Sequence, residues 1–389
     1  MYPHQVERLD AALEEFGVEA LVATSAADVA YLTGFWSLSR AVHPVEIFAV
    51  YSKAGTALVI PTIDAPTVAT SDANADHVAC YGRFFVNLAD TADETARRAA
   101  RLAAEPAESA AEALKRVLDT LGLAKARIAL DDTALTRAEA AALQARFAGS
   151  RLAFSGGAVA RARLVKGPYE IDCLAQALRI AEEAIHAVLG ALRAGTSERE
   201  AADAYEHAVA VKDGTAYATT LTFGENTALP AAPPTARRLR PGDLVRFDLG
   251  CVFKGYRGDV ARMAVLGEPS ARAQRAHDAV DAGVEAALAA IRPGVDGGTV
   301  FDAAVAAVRA AGLPEFKRHH VGHGIGLDPI EAPWLQPGGR ALEAGMVIRA
   351  ETPYYELGAF GVNVRETVLV TRTGATSMNR SHRGLVILD

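Results

Sequence analysis

The stretch that decides the fold is Asp243-Leu-Val-Arg-Phe-Asp-Leu-Gly-Cys-Val-Phe-Lys-Gly-Tyr-Arg-Gly-Asp259. It follows a turn at Pro241-Gly242 and alternates apolar with polar residues, which is the period of a half-buried strand. The alternation breaks at Lys254-Gly255 and then resumes, so the sequence predicts two adjacent antiparallel strands. Asp248 and Asp259 can then face each other, and such carboxylates repel unless a cation lies between them. The alternative is two aspartates in separate solvated turns.

Composition describes an ordinary acidic globular protein. The chain has 389 residues, half of them apolar, with a formal net charge of -7, which is enough for a full core in one large domain or two. No basic patch predicts binding to nucleic acid or a membrane surface, and no apolar run is long enough to span a bilayer. The N-terminal residues lack the pattern of a signal peptide, so the cytoplasm is the expected location. Three widely spaced cysteines predict reduced, buried thiols.

The order of elements predicts two domains. Strands alternate with helices over roughly the first 150 residues, which predicts an α/β domain. The pattern breaks between Ser155-Gly-Gly157 and Arg163-Leu-Val-Lys-Gly-Pro168, and we place the boundary there, between residues 1–157 and 158–389. After it, a long helix opens the order helix, helix, strands, helix, helix, strands. This order predicts two similar halves around one sheet.

Two further stretches carry candidate ligands. His319-His-Val-Gly-His-Gly-Ile-Gly-Leu-Asp328 sets three histidines among glycines, where the backbone can approach closely and an imidazole is a good ligand candidate. Met346-Val-Ile-Arg-Ala-Glu-Thr-Pro353 places Glu351 on a strand, where a charged residue needs a partner. With the two aspartates, these residues form an oxygen-rich set with a single imidazole. That set suits manganese, iron, cobalt or zinc.

Together these stretches resemble the pita-bread metallopeptidase superfamily, which includes Xaa-Pro dipeptidase, aminopeptidase P, methionine aminopeptidase and creatinase. The resemblance rests on Asp-Leu-Gly-(seven residues)-Gly-Asp-Val-Ala-Arg, Val-Gly-His-Gly-Ile-Gly-Leu-Asp and Gly-Met-Val-Ile-Arg-Ala-Glu-Thr-Pro, and it covers nearly the whole chain. It implies a creatinase/prolidase-type N-terminal α/β domain and an α+β pita-bread catalytic domain in a homodimer. It also implies Asp248, Asp259, His323 and Glu351 as metal ligands, His319 near the substrate, and metal-activated water as the nucleophile.

Three positions depart from the family pattern. Ala231 and Ile330 stand where the resemblance places two histidines that bind substrate and transfer protons, which neither side chain can do. Arg365 aligns with the family's bridging glutamate. Neighbouring strand residues face opposite sides, so Arg365 and Glu366 cannot both enter the site without a bulge. Because Arg365 shares its side with polar residues, we predict that it points inward and holds Asp248, while Asp259, His323 and Glu351 could still hold a single metal. Glu366 inward would restore a two-metal site.

Three other residues are candidates for substrate contact. His320 could replace the missing proton shuttles, or it could be a solvated histidine. Trp36 and Arg40 follow a Thr-Gly-Phe turn. In creatinase-like dimers this loop is expected to reach the neighbouring subunit's site, where Arg40 would hold a substrate carboxylate. The alternative for Arg40 is an exposed surface position.

The sequence therefore predicts a metal-dependent hydrolase of the Xaa-Pro dipeptidase/creatinase type. It would cleave an amide or amidine-like C–N bond in a small molecule or dipeptide, with an atypical active site. Two alternatives stay open: a conventional Xaa-Pro dipeptidase or aminopeptidase, and a catalytically silent binding protein on the same fold. Manganese is the expected metal, as one or two ions, with cobalt, iron and zinc as alternatives.

Overall fold

The computed structural model describes residues 2–132, 134–147, 151–154 and 157–389. The chain divides into two units, Met1–Arg163 and Leu164–Asp389, and each unit contains its own hydrophobic core. Ser155 and Gly156, at the predicted break between domains, lie outside the described residues.

The first unit is built on a mixed sheet with helices packed against it. Its described helices are α1 (Pro3–Phe16), α2 (Ala26–Thr33), α3 (Ser39–Val42), α4 (Ala65–Thr70), α5 (Glu94–Ala103), α6 (Ala110–Thr120), α7 (Arg137–Arg146) and α8 (Ala158–Arg163). Its described strands are β1 (Ala20–Ala23), β2 (Phe48–Ser52), β3 (Gly55–Pro61), β4 (His77–Tyr81), β5 (Arg127–Leu130) and β6 (Arg151–Phe154). The strand order is β4-β3-β2-β1-β5-β6, antiparallel in the centre and parallel toward both edges. This confirms the predicted α/β class.

The second unit contains two pairs of helices and two main sheets. Its described helices are α9 (Pro168–Ala191), α10 (Glu198–Ala210), α11 (Ala271–Ala290) and α12 (Gly297–Ala310). Its described strands are β7 (Thr215–Phe223), β8 (Leu244–Phe253), β9 (Tyr256–Leu266), β10 (Gly322–Gly324), β11 (Glu331–Trp334), β12 (Val347–Glu351), β13 (Tyr354–Glu356), β14 (Phe360–Val362), β15 (Arg365–Val370), β16 (Ala375–Ser377) and β17 (Val386–Leu388).

The two halves of this unit each pack a helix pair on a sheet. Helices α9 and α10 share a core with the sheet of order β17-β9-β8-β7. Helices α11 and α12 share another with the sheet of order β11-β10-β12-β15-β16. Repeated amphipathic helices bury one face each against a sheet. This is the α+β class that the resemblance implied, in the two similar halves that the order of elements predicted.

The prediction of one continuous sheet is wrong. The described strands of the second unit form separate hydrogen-bonded sheets, of which β13 and β14 make a small third one. Where β9 and β15 meet, the Arg262 guanidinium donates to the backbone carbonyl of Arg365 (2.5 Å). A side chain thus takes the place that a backbone N–H would fill in a continuous ladder.

Two other features agree with the sequence. All three cysteines, Cys80, Cys173 and Cys251, are buried free thiols. In the described ranges, no helix combines the length and apolarity needed to cross a membrane.

Candidate active site

The β8–β9 hairpin brings the two aspartates of the deciding stretch to one face of the sheet. Asp248 lies opposite Ala261, and Asp259 lies opposite Gly250, so the two carboxylates are diagonal neighbours across the pair. Asp259 is buried, whereas the Asp248 side chain is 17% exposed. The predicted adjacency of the two aspartate strands is confirmed.

His323 lies on β10, between β11 and β12. Glycine is required on both sides, because a Cβ at Gly322 or Gly324 would collide with the backbone of the neighbouring strands. The His323 Nδ1 donates to the Gly324 carbonyl (2.8 Å), which makes Nε2 the acceptor nitrogen. Burial, and then the nearby Arg349, lower the pKa of His323 to about 3, so the ring is neutral at pH 7.

Strand β12 carries two charged residues on one face, Arg349 and Glu351, because strand residues two apart share a side. Both are buried. In the antiparallel ladders, Arg349 lies directly opposite His323 of β10, and Glu351 lies directly opposite Arg365 of β15. Strand register therefore brings two arginines to the predicted ligands.

The Arg365 guanidinium bonds to three carboxylates. Its Nη1 donates to Asp248 Oδ1 (2.7 Å) and Asp259 Oδ1 (2.6 Å). Its Nε and Nη2 donate to Glu351 Oε2 (2.8 and 2.6 Å). The Asn363 amide holds the other Asp248 oxygen (3.0 Å). Asn363 and Arg365 thus both face the site, as the alternation along their segment predicts.

The Arg349 guanidinium completes the cluster. Its Nη1 donates to Asp259 Oδ2, and its Nη2 lies 2.6 Å from His323 Nε2 and 3.7 Å from Glu351 Oε1. Because His323 is neutral and accepts through Nε2, this contact is an ordinary hydrogen bond to an imidazole. All four predicted metal ligands therefore contact a guanidinium.

The charges of the cluster stabilise one another. Burial alone would raise the pKa of Glu351, but Arg365 and Arg349 outweigh it and hold that pKa well below its usual value. Burial alone would lower the pKa of Arg365, but Asp248, Asp259 and Glu351 raise it well above its usual value. Three carboxylates against two guanidiniums leave one net negative charge, so the buried group is nearly neutral.

This arrangement does not fit the divalent ions that the resemblance implies. The oxygen and nitrogen atoms that would coordinate a metal already accept hydrogen bonds from guanidiniums. Two unit charges 4 Å apart repel by about 4 kcal/mol at an effective dielectric constant near 20, and a divalent ion doubles that repulsion. Among the described residues, no group of three or more His, Cys, Asp or Glu could hold a metal ion. A metal bound by Asp248, Asp259, His323 and Glu351 stays a prediction, which the two arginines oppose.

Glu366 does not lie in this site. It faces the other side of β15, where it accepts from the Arg262 guanidinium (3.3 Å) and the Ser377 hydroxyl. Burial raises the pKa of Glu366, and Ser377 and Arg262 partly offset that rise. The alternative with Glu366 inward, including any catalytic role in the site, is therefore corrected. No bulge reverses the facing, since β15 keeps one register with β12 from Arg365 onward.

His319 and His320 differ in burial. His319 is exposed, and its ring centroid lies 4.4 Å from that of His320. His320 is buried and packs edge-on against His323 and Trp334. Its Nδ1 accepts from the Gly322 N–H (3.1 Å), so Nε2 carries the proton. Burial lowers the pKa of His320 to about 4; His320 is thus a neutral donor rather than a solvated histidine.

The two positions that lack the family histidines are exposed, both Ala231 and Ile330. Just before Ala231, the carbonyls of Leu229 and Pro230 accept from Arg246 Nη2 (2.6 and 3.3 Å). Arg246 is fully buried on the same face of β8 as Asp248, and it stacks over the Tyr355 ring at 5.2 Å. Within the described residues, its Nε and Nη1 have no hydrogen-bond partner.

The remaining candidates belong to the first unit. Trp36 is 40% exposed, and Arg40 is partly buried near Tyr81. Burial lowers the pKa of Arg40, and Tyr81 partly offsets it. The Arg40 Nη1 is buried, and no described residue pairs with it. Their contact with substrate stays a prediction.

Sequence reasoning missed Arg349 and Arg246, although the signal for both was present. Arg349 stands two residues before Glu351, and Arg246 stands two residues before Asp248. On a strand, that spacing puts each arginine on the same side as the candidate ligand. The argument that placed Arg365 inward applies equally to both.

Comparison with protein families follows the two units. Residues 172–372 match the model of metallopeptidase family M24, and residues 5–165 match the creatinase/prolidase N-terminal domain. The first match alone covers more than half of the chain. The chain belongs to metallopeptidase family M24.

The M24 protein superposes on solved structures over nearly its whole length. An Xaa-Pro dipeptidase from Bacillus anthracis superposes with a TM-score of 0.81 over 99% of both chains, at 23% identity. The dipeptidase PepE from Mycobacterium ulcerans superposes with a TM-score of 0.80 over 100% of this chain and 99% of its own, at 25% identity. These likenesses confirm the two-domain pita-bread fold.

Curated relatives align over a shorter part of the M24 protein. An uncharacterized peptidase of Staphylococcus saprophyticus is 32% identical over 56% of this chain and 63% of its own length. An Xaa-Pro dipeptidase of Pyrococcus furiosus is 30% identical over 58% of this chain and 65% of its own length. The alignments thus span less than two thirds of these relatives.

Proposed function

We propose that this protein is a hydrolase that cleaves an amide or amidine-like C–N bond in a small molecule or dipeptide, with an atypical active site. Family membership supports the reaction class. The observation that carries the atypical part is the Arg365 guanidinium, bonded to Asp248, Asp259 and Glu351 where the resemblance expects a bridging carboxylate. At position 365 a positively charged side chain thus replaces a negatively charged one, so the sign of the charge there is reversed.

The side chains of the cluster support a hydrolysis that uses hydrogen bonds and one exposed carboxylate. Asp248 has the most exposed side chain of the three acids, at 17% against 9% for Asp259 and 6% for Glu351. It is therefore the carboxylate that can take a proton from an attacking water. The Arg349 Nε, which no described residue pairs with, is a donor for the oxyanion that forms when water adds to the carbon. The C–N bond then breaks, and the leaving nitrogen takes up the proton that Asp248 accepted from the water.

Arg246 supports a substrate that carries a carboxylate. A fully buried guanidinium with two unpaired N–H groups is unfavourable in the free protein. A carboxylate of the substrate would accept a charge-assisted hydrogen bond from one of these groups. A dipeptide and an amidine-bearing amino acid both provide that group, so the substrate class is small C–N compounds with a free carboxylate.

The test is a comparison of three substrate classes at equal concentration: Xaa-Pro dipeptides, N-acyl amino acids and amidine-bearing amino acids. Mass spectrometry follows the cleaved product. We expect turnover in one class by the wild type, and a loss of about 100-fold or more in kcat for Asp248→Asn, which retains the shape but not the base. Glu206→Gln, at a solvent-facing helix position, is the control and should retain wild-type turnover. Wild-type and Asp248→Asn proteins with equal rates would contradict the proposal.

A conventional Xaa-Pro dipeptidase is the second candidate. The names of the relatives from Pyrococcus furiosus and Bacillus anthracis support it. Rapid hydrolysis of Gly-Pro that needs added manganese and stops with a chelator would favour this candidate over the atypical hydrolase. Manganese as the metal, and a cytoplasmic location, remain predictions under either candidate.

A catalytically silent binding protein is the third candidate. The occupied ligand atoms and the exposed Ala231 and Ile330, which cannot transfer protons, support it. Binding of a carboxylate-bearing compound without cleavage in any of the three substrate classes would favour it. Calorimetry on the same compounds separates this outcome from a failure to bind.

A homodimer is the proposed assembly. The first unit exposes apolar side chains around Trp36 and again around Phe85, with Leu38 78%, Val42 71% and Phe85 89% exposed. Exposed apolar side chains of this size mark interaction surfaces. Arg40 lies in the same segment, and its unpaired Nη1 supports the proposed contact with a substrate carboxylate. Light scattering should give twice the mass of the 389-residue chain. The double variant Leu38→Asp with Phe85→Asp should have the mass of a single chain.

A further inference from the structure

The cluster contains two guanidiniums, although only one of them stands at a position where the family has a metal ligand. Arg365 replaces a single family ligand, whereas Arg349 adds a second positive charge between Asp259 and His323. We propose that Arg349 and Arg365 together take the place of a pair of divalent ions, so that this protein folds and functions without a bound metal. The proposal holds for any substrate of the proposed function, and also for a binding protein.

Strand register, rather than a loop that can adapt, sets both arginines. Arg349 is the direct partner of His323 in the β10–β12 ladder, and Arg365 is the direct partner of Glu351 in the β12–β15 ladder. Directly opposed residues of an antiparallel pair have Cβ atoms about 5 Å apart. The strand pairing that brings the ligand side chains together therefore also places the two guanidiniums beside them.

The hydrogen bonds use the lone pairs that metal coordination would need. Arg365 binds one oxygen on each of Asp248, Asp259 and Glu351, while Arg349 binds the second Asp259 oxygen and the His323 nitrogen. Thiolate is absent from this set, and its donors are those that hard or borderline divalent ions share with guanidinium. Guanidinium and a metal ion therefore compete for the same atoms.

The arginines are poor candidates for moving aside. Arg349 is 7% and Arg365 is 5% exposed, so each would have to leave its carboxylates and remain buried without a partner. A bound ion dissociates and exchanges, but a side-chain cation stays at its site at every metal concentration.

Elemental analysis of the full chain tests the proposal. The protein is expressed in manganese-supplemented medium and purified without chelator, and its metals are measured by mass spectrometry. We expect fewer than about 0.1 ion of manganese, iron, cobalt or zinc per chain, and no change in Tm with EDTA or manganese. About one ion per chain or more in the wild type, lost in Asp259→Ala, would overturn the proposal.

A gain of metal binding is the complementary measurement. The double variant R349T/R365E removes both cations and restores a carboxylate at position 365. We expect it to bind about one ion or more per chain and to gain about 5 °C or more in Tm with manganese. R349K/R365K, which retains both charges, should stay metal-free. If R349T/R365E does not fold, the metal contents of the wild type and of R349K/R365K still test the proposal.

The outcome is separable from the proposed function. A metal-free wild type that cleaves a C–N substrate supports both proposals. A metal-free wild type without turnover supports the proposal of a metal-free site and contradicts the proposal that the protein is a hydrolase. A wild type with stoichiometric metal and turnover removes the metal-free site and leaves the hydrolase.

Discussion

At the residue scale, the arginines carry the features that distinguish this chain. Sequence alone placed Arg365 correctly, because alternation along a strand is a geometric rule that does not depend on the rest of the fold. The same rule would have placed Arg349 beside Glu351, but its partner His323 lies on another strand, 26 positions away. Pairing between distant strands is set by register, which no short stretch of sequence contains.

Arg246 gives a prediction at this scale. Arg246→Met removes a buried charge with unpaired N–H groups and retains most of the volume. We expect the unfolding free energy to change by less than about 1 kcal/mol, because removal of the unpaired N–H groups offsets the loss of the hydrogen bonds to the Leu229 and Pro230 carbonyls; urea denaturation measures it. The KM for a carboxylate-bearing substrate should rise about tenfold or more, since a charged hydrogen bond is lost.

Arg262→Met is the matched control for Arg246→Met. Arg262 is also buried on the same sheet, but its nitrogens donate to Ser381, Glu366 and the Arg365 carbonyl. Its loss leaves those acceptors unpaired and should lower the unfolding free energy by roughly 3–5 kcal/mol. Equal destabilisation by the two substitutions would show that Arg246 is an ordinary structural arginine.

His320 gives a prediction of pH dependence. Burial lowers the pKa of His320 from 6.5 to about 4. Between those values the unfolded chain binds a proton that the folded chain does not, so stability falls as the pH drops through this window. His320→Gln should therefore show a smaller loss of unfolding free energy between pH 6.5 and pH 4 than the wild type. Identical slopes for wild type and His320→Gln would contradict this account.

At the element scale, close contact between β9 and α9 supports the face that carries Asp259. A Cβ at Gly258 would collide with the backbone of Ala177 and Leu178 in α9. Gly258→Ala must therefore displace the helix from the strand, and we expect a loss of about 1–3 kcal/mol or more in unfolding free energy. Thermal and urea denaturation measure the loss.

Gly190→Ala is the control for Gly258→Ala, since it makes the same chemical change on α9. Gly190 is the penultimate residue of that helix, and a Cβ added there would meet no atom of another element within 4 Å. Alanine there should stabilise the protein by about 0.5–1 kcal/mol, because it reduces the freedom of the unfolded chain. Destabilisation by both substitutions would mean that α9 tolerates no added methyl group and would remove the contact argument.

Elements were predicted well where the sequence is rich in large apolar residues and poorly where it is not. The hairpin of β2 and β3 and the β8–β9 pair are rich in such residues and are buried along most of their length, and both were expected. Helix α5 was not expected: its sequence is amphipathic, but its apolar residues are alanines and one leucine, and Ala99 is its only buried residue.

At the scale of the whole molecule, the sequence indicated two domains but not the division of the second into separate sheets. At that division Arg262 donates to the Arg365 carbonyl, a contact between residues 103 positions apart. Local patterns predict which residues are strands, whereas side-chain contacts of this range decide which strands pair.

Separate cores predict separate unfolding events. Leu58 is fully buried in the first unit, and Leu249 is fully buried in the second. Alanine at either position should cost about 2–5 kcal/mol, and each should lower only one of two transitions in differential scanning calorimetry. A single transition that both variants shift equally would show that the chain unfolds as one cooperative body.

The most direct test of the central claim is a crystal structure of the wild-type protein grown with manganese chloride, with diffraction data collected at the manganese absorption edge. We predict no anomalous peak among Asp248, Asp259, His323 and Glu351, with the guanidiniums of Arg349 and Arg365 bonded to them. Two anomalous peaks between these ligands, with both arginines displaced, would contradict the account.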